Sequence, residues 1–286
     1  MPTYTVQAIN IGSFNLGEAD KVLTLFTAEK GLVRAVAKGS RKPGTKMAGR
    51  ADLLNVNKLF LSTGKTFEII TQAETIDSFP ALRGDLLRLS YGLYYAELSH
   101  QFAQGLSDES YIYFEYLRHA LHLQAAQLAD ANWLSLEFEL GLLDLLGYRP
   151  EVTYCVLCRE VLTEYNIACF NTELGGVLCS RCSQPDYLLR EGMEEVLQRE
   201  GSAWKAGIHV TPLVWKNVVL GGDRRISTSP PEDLSSLPAG PWNAAQSGSN
   251  AARLSVSAAR RLTQSYLEHR AGRRMKALDL LAEIKA

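Results

Sequence analysis

The chain reads WLSLEFELGLLDLLGYRPEVTYCVLC from Trp133 to Cys158, an apolar run that leads into a pair of cysteines. Apolar residues occupy most of the circumference of a helix drawn from Trp133 to Leu146, which predicts a buried central helix. Gly147 and Pro150 then end the helix, because glycine favours the C-terminal turn and proline cannot continue it. A helical part and a cysteine-rich part therefore meet within this segment.

The cysteine pair is the first of two Cys-x-x-Cys pairs. Cys155 and Cys158 are followed, after 20 intervening residues, by Cys179 and Cys182, a spacing typical of four thiolates around one zinc ion. Because cysteine fills all four positions, no position is left for a reactive water, and we expect one structural zinc. Two disulfides are the alternative, although a cytosolic location disfavours them. Cys169, the fifth cysteine, is expected to be a small buried residue.

The residues between the two pairs have the pattern of a ribbon hairpin. Residues 166–170 alternate in polarity, and Gly175 and Gly176 form a predicted turn. We therefore assign residues 151–187 to a zinc ribbon that is inserted into a helical domain.

Leucines recur at helical spacing after Pro80. They place the helical domain at residues 81–150, and helical patterns return after the ribbon, within residues 188–286. Residues 221–250 are so rich in serine, proline and glycine that we expect a disordered loop there.

The first 80 residues have the pattern of short strands. Alternating segments lie at residues 4–9, 21–27, 31–38, 59–62 and 66–70, with turns between them. Five short strands predict a small antiparallel barrel or sandwich. The expected fold class is therefore α+β, with the strands at the N-terminus and the helices after them.

The composition, with 46% apolar and 21% charged residues, is that of a soluble globular protein. No stretch approaches the roughly 18 apolar residues of a membrane span, and residues 1–10 lack the apolar centre of a signal peptide. We therefore expect a cytoplasmic protein without a membrane partner. The net charge of −1 is unevenly spread: residues 1–80 carry +3 and residues 201–286 carry +6, while the middle is acidic.

Basic residues are concentrated in one stretch of the predicted barrel. They are Arg34, Lys38, Arg41, Lys42, Lys46 and Arg50, with no acidic residue among them. Such a run is often only a solvated face, but loops of small barrels commonly bind oligonucleotides, and cations there would follow a phosphate chain. We take these six residues as candidate nucleic-acid contacts.

A second basic group lies near the C-terminus. It consists of Arg260, Arg261, Arg270, Arg273, Arg274 and Lys276. These residues form either a second surface for an anionic ligand or ordinary cations at the C-terminal ends of helices.

Signals for catalysis are weak by comparison. Residues 39–46 have the glycine spacing of a phosphate-binding loop, but Thr45 precedes Lys46 where the reverse order is required. No Ser/His/Asp, Cys/His or deaminase pattern is visible, so we expect that the protein is not an enzyme.

These features together resemble the bacterial RecO family of recombination mediators. The resemblance rests on Lys38-Gly39-Ser40-Arg41-Lys42, on the helix Phe138 to Pro150 that leads into Cys155-x-x-Cys158, on the second cysteine pair, and on the ending YLEHRAGRRMK from Tyr266 to Lys276. It covers the chain apart from residues 221–250, which are longer than the family pattern leads us to expect.

The resemblance implies an OB-fold barrel that binds single- and double-stranded DNA, beside a helical domain with the zinc ribbon. It further implies a non-enzymatic, nucleoid-associated protein that anneals complementary strands. The implied partners are RecR, the C-terminal tail of single-stranded-DNA-binding protein (SSB), and RecF. With RecR, the protein would help to load RecA onto SSB-coated single-stranded DNA.

Two other classes of protein are alternatives to this one. A ribbon combined with a barrel also occurs in RNA-binding and translation-associated proteins, which would prefer RNA to single-stranded DNA. A redox enzyme that uses the cysteines would require a reactive thiol that metal does not protect, and no sequence feature supports one.

Overall fold

A computed structural model describes residues 2–103, 110–126, 131–184, 207–212, 214–216, 218 and 250–285. Its strands are β1 (Thr3–Leu16), β2 (Asp20–Thr27), β3 (Gly31–Ala37), β4 (Val56–Ser62), β5 (Glu68–Asp77), β6 (Ile167–Asn171), β7 (Gly176–Cys179) and β8 (Ile208–His209). Its helices are α1 (Lys46–Arg50), α2 (Pro80–Arg83), α3 (Leu86–Phe102), α4 (Ser110–Ala126), α5 (Ala131–Leu145), α6 (Asn250–Ala271) and α7 (Lys276–Lys285). The loop predicted at residues 221–250 lies outside the described residues, except that Asn250 begins α6.

The first five strands form a closed barrel in the order β1-β2-β3-β5-β4, which confirms the predicted N-terminal barrel and the α+β class. The short helix α1 lies between β3 and β4, as in an OB-fold. The barrel interior is filled by small and branched side chains, including Val6, Leu23, Leu25, Ala35, Leu59, Leu61 and Ile70. One strand pair, β3 with β5, is parallel, whereas the sequence pattern predicted antiparallel strands throughout.

Strand β1 is long enough to pair with two partners. Its first half pairs with β4 and its second half with β2, and the register shifts between Asn10 and Gly12. Asn10 is fully buried at this bend, where its side-chain amide donates to the carbonyl oxygen of Ala51 at 2.7 Å. The bulge bends the strand, which is how a single strand serves both sides of the barrel.

The chain divides into two compact units. Among the described residues, the first contains the barrel, α2 to α4 and α7, and the second contains α5, the cysteine-rich sheet and α6. In the first unit, the carboxylate of Glu97 accepts from the amides of Lys276 and Ala277 at 3.0 and 2.8 Å, and so caps the start of α7. The units group the helices differently from the domain boundaries assigned from the sequence, which stay a prediction.

In the second unit, α5 has the buried character that its sequence predicts, and it also carries a buried carboxylate. Glu139 is completely buried and accepts from the Arg260 guanidinium of α6 at 2.8 Å. Thr263 and Gln264 also donate to Glu139, and Arg260 donates to Asn132 at 3.0 Å. A buried charge is tolerated only when it is paired and hydrogen-bonded, and this network meets that requirement.

We expect Arg260→Ala to destabilise the protein by about 3–5 kcal/mol, because it leaves the Glu139 carboxylate buried without its cation. The measurement is the free energy of unfolding in urea, followed by circular dichroism. Arg261→Ala is the matched control, since Arg261 is the next residue of α6 but is exposed, and it should change stability by less than about 0.5 kcal/mol. Equal effects of the two substitutions would contradict a stabilising role for the ion pair.

Candidate metal centre and nucleic-acid interface

Four of the five cysteines meet at one point of the second unit. The sulfur atoms of Cys155, Cys158, Cys179 and Cys182 all lie within 4.8 Å of one another. Cys158 is partly exposed and the other three are buried. Cys158 Sγ and Cys179 Sγ are 3.7 Å apart, well beyond an S–S bond of about 2.05 Å, and all the cysteines are free thiols. The cluster therefore matches a metal site and does not match the disulfide alternative.

Backbone turns hold the four sulfur atoms in place. After the first pair, Arg159 adopts a left-handed conformation with φ of 61°, which returns the chain so that Cys155 N donates to Glu160 O at 2.8 Å. Backbone amides also point at the sulfurs: Cys179 N lies 3.4 Å from Cys155 Sγ, and Cys182 N lies 3.5 Å from Cys179 Sγ. Such second-sphere hydrogen bonds orient and stabilise thiolate ligands of a metal.

The thiols differ in their electrostatics. Burial raises the pKa of Cys179 and of Cys182. Burial also acts to raise the pKa of Cys158, but hydrogen bonds, chiefly with the Glu160 backbone and the Arg181 side chain, outweigh it and lower the pKa to about 7. A bound cation would favour the thiolate form of all four, so metal binding would displace thiol protons.

The cysteine-rich sheet has the order β7-β6-β8, and β6 and β7 form the hairpin that the sequence predicts. Its turn packs closely on α6: a side chain at Gly175, where φ is +73°, would collide with the Tyr266 hydroxyl. Arg270 of α6 lies between two rings, with its guanidinium carbon 4.9 Å from the Tyr148 centroid and 5.0 Å from that of Tyr266. Residues of the YLEHRAGRRMK ending thus contact the residues that follow α5.

On the barrel, the predicted basic residues lie on and beside the connection from β3 to α1. Lys38, Arg41, Lys42 and Lys46 are exposed, Arg34 is exposed on β3, and Arg50 is partly buried at the end of α1. The connection is fixed to the β1–β2 turn, because Gly39 N donates to Asp20 Oδ1 at 2.7 Å and the Arg41 side chain donates to Gly17 O at 2.7 Å. The loop is therefore held by the barrel with its lysines turned to solvent.

Next to this loop, a row of apolar side chains crosses four strands. The register pairs Phe14 with Val22, Val22 with Val36, and Val36 with Ile69. Directly paired residues point to the same face of a sheet. Phe14 ends the row with 46% of its surface exposed, and its ring meets that of Phe67 edge to face, with centroids 6.1 Å apart. Phe67 is half-buried, whereas Phe14 is exposed on β1 two residues before the strand ends at the turn that holds the basic loop, a position that suits the stacking of unpaired bases.

The C-terminal basic residues do not share one environment. Arg261, Arg273 and Arg274 are exposed in the second unit, and Lys276 is exposed in the first. The structure corrects the expectation for the two others: Arg260 is buried against Glu139, and Arg270 is engaged by Tyr266 and Tyr148. Neither presents a free guanidinium to a phosphate, so neither is kept in the proposed DNA-binding surface.

A cavity of the barrel is lined by residues that the sequence did not single out. Tyr4, Lys30, Phe67 and Glu68 surround it together with Arg34. Burial, followed by the charge of Glu68 and a hydrogen bond to it, raises the pKa of the Tyr4 phenol, so Tyr4 stays protonated and its hydroxyl donates a hydrogen bond to Glu68. Tyr4 and Glu68 look like ordinary positions of strands, Lys30 lies in the β2–β3 turn and Phe67 lies just before β5, so no short-range pattern marks them as one group.

The fold and the cysteine site together define a class: a mixed α+β protein with an OB-type barrel and a ribbon that could hold one metal ion. Two family models match the chain, recombination protein O N terminal over residues 1–79 and recombination protein O C terminal over residues 83–196.

Within the described residues, no helix is both long and apolar enough to cross a membrane.

Curated relatives agree with the family models. A DNA repair protein RecO of Synechococcus sp. (strain JA-2-3B'a(2-13)) is 31% identical, over 99% of this chain and 90% of its own length. The DNA repair protein RecO of Symbiobacterium thermophilum is 35% identical, over 64% of this chain and 72% of its own length. That of Acaryochloris marina is 38% identical, over 56% of this chain and 55% of its own length. The chain belongs to the RecO family of DNA repair proteins, as its sequence motifs predict.

We expect Cys155→Ser to lower both the metal content and the melting temperature, since it removes one of four ligands around a buried point. Metal per chain would be measured by mass spectrometry of the purified protein, alongside thermal unfolding. Cys169→Ser is the control, because Cys169 lies outside the cluster. Unchanged metal content in Cys155→Ser would refute the assignment of a metal site.

Proposed function

We propose that this protein is a non-enzymatic recombination mediator that binds DNA on its N-terminal barrel. The observation that carries the proposal is a group of exposed lysines, Lys38, Lys42 and Lys46, on a connection that hydrogen bonds fix to the β1–β2 turn. The exposed ring of Phe14 lies on β1, two residues before the strand ends at this turn. Cations neutralise phosphates and release counterions, while aromatic rings stack on unpaired bases. Both effects act on any sequence, which suits a protein that must engage DNA wherever it is damaged.

The family likeness supplies the finer parts of the proposal. Single- and double-stranded DNA are the proposed ligands, and annealing of complementary strands follows when the protein screens the phosphates of both. RecR, the SSB tail and RecF are proposed as protein partners, and loading of RecA onto SSB-coated DNA with RecR as the cellular outcome. The proposed location is the cytoplasm, in association with the nucleoid.

Zinc is the metal that we propose for the cysteine cluster. Four thiolates leave no open position, and zinc readily accepts such a tetrahedral sulfur set. One ion would be held by Cys155, Cys158, Cys179 and Cys182, and it would stabilise the ribbon and take no part in chemistry.

Further phosphate contacts are proposed for the exposed cations of the C-terminal part, which are Arg261, Arg273, Arg274 and Lys276.

We expect the combined change of Lys38, Lys42 and Lys46 to Ala to weaken binding of a fluorescent single-stranded oligonucleotide in anisotropy titrations. These side chains are preferred to Arg41, which also fastens the loop to Gly17. The slope of log affinity against log salt should fall by about 0.7 for each phosphate that is no longer neutralised, thus by about 2 for three phosphates.

Lys58→Ala is the control for this measurement, because Lys58 is an exposed lysine of β4 outside the basic loop. It should change the salt slope by less than any single loop lysine. Salt-sensitive binding that the combined change leaves intact would move the DNA site away from the barrel loop. A preference for an RNA strand over the same DNA strand would favour the RNA-binding alternative.

A separate substitution tests stacking. Phe14→Ala should lower the affinity for single-stranded DNA by about 1–3 kcal/mol at every salt concentration and leave the salt slope unchanged, because stacking involves no counterion release. Tyr111→Ala controls for removal of an exposed ring elsewhere, on α4. An effect of Phe14→Ala on the salt slope alone would contradict a stacking role.

A further inference from the structure

The barrel has a cavity of about 640 Å³ beside the turn between β2 and β3. This volume is within the range of about 300–1,000 Å³ typical of small-molecule sites. Residues 32–34 of β3 form one wall, and the connection between β4 and β5 forms the opposite wall. The remaining walls come from Tyr4 of β1 and Lys30 of the turn.

The cavity exists because β3 and β5, the strands that close the barrel here, pair over only a short stretch. Within residues 2–103, all of which the structure describes, β3 pairs with β5 at Ala35 and Val36 only. Before these residues the two segments separate, and the cavity lies between them. Gly64 shapes the opposite wall, since a side chain there would overlap the carbonyl oxygen of Phe67. The connection therefore turns back on itself and brings Phe67 to the cavity.

The polar groups of the cavity are not all satisfied by the protein. Glu68 receives a hydrogen bond from Tyr4, yet its Oε2 atom is buried and has no hydrogen-bond partner. Buried acceptors are rarely left in this state. Lys30 Nζ lies 3.8 Å from the centre of the Tyr4 ring, so this cation is held at the cavity by the ring face and does not pair with the carboxylate.

The residues that line the cavity indicate which chemical groups a ligand would need. Phe67 favours a flat, stacking group, and the Glu68 oxygen requires an N–H donor. Lys30 and Arg34 favour negative charge next to that group. A nucleotide meets all three requirements, whereas an acidic peptide would bring a second carboxylate towards Glu68, where like charges repel.

We propose that the cavity accepts one base of a bound single strand and that Glu68 selects bases with an amino donor, guanine above all, over thymine. Guanine offers adjacent N1–H and N2–H donors on its pairing edge, and carboxylates also accept from the amino group of cytosine. Thymine offers a single N–H between two carbonyl oxygens, which a carboxylate repels. The inference rests on the proposed DNA binding and adds a base preference to it.

The test compares oligo-dT with the same oligomer carrying one central dG, by competition against labelled oligo-dT. The wild-type protein should bind the dG oligomer about fivefold more tightly, as one good base contact allows. Glu68→Gln should bring the two affinities to nearly the same value, because the amide can donate to thymine as well as accept from guanine. Glu74→Gln, an exposed change on the same strand, should keep the preference.

Equal affinity of the wild-type protein for the two oligomers, with both bound, would overturn the cavity proposal and leave DNA binding intact. A preference that persists in Glu68→Gln would overturn it too. Failure of both oligomers to bind would remove the proposed function and this inference with it. Should Glu68→Gln lower the melting temperature, Phe67→Leu tests the same cavity, since removal of the ring must also reduce the advantage of dG.

Discussion

Two residue pairs close the barrel, Ala35 with Glu68 and Val36 with Ile69. The proposed DNA surface depends on them twice. Val36 and Ile69 complete the row of apolar side chains that begins at Phe14, and because the pairing stops at Ala35 and Glu68, the cavity remains beside the start of β3. So short a parallel pairing is weak by itself. The filled interior and the buried bend at Asn10 must therefore hold the register from the other side of the barrel.

The basic loop shows how a chain with a net charge of −1 can present a strongly cationic surface. Charges are screened beyond about 8 Å in physiological salt, so only the local cluster matters to a phosphate. Asp20 and the Arg41 side chain fix the loop to the β1–β2 turn and leave its lysines in solvent. The proposed binding of phosphates would cost the loop little conformational freedom, because the barrel already orders it.

Local patterns predicted the strands, the ribbon hairpin and the buried α5, because alternation, glycine turns and cysteine spacing are short-range signals. The parallel β3–β5 pair was missed, since it joins segments about 30 residues apart and only the closed barrel reveals it.

The sequence analysis wrongly placed Arg260 on the surface. Its position one turn after Val256 and three residues before Thr263, both buried, puts it on the apolar face of α6, and that spacing could have indicated burial. The partner, Glu139, lies 121 positions away.

The division of the chain into two units separates the candidate metal site from the proposed DNA surface. The four cysteines, the hairpin and α6 belong to the second unit, and the barrel with its loop belongs to the first. The close contact of Gly175 with Tyr266, and the rings around Arg270, tie the ribbon to α6. A metal ion would thus add its binding energy to the folding of this unit. The barrel contributes none of the four cysteines, so an ion bound there would be structural, while the proposed contacts with phosphates and bases come from other residues.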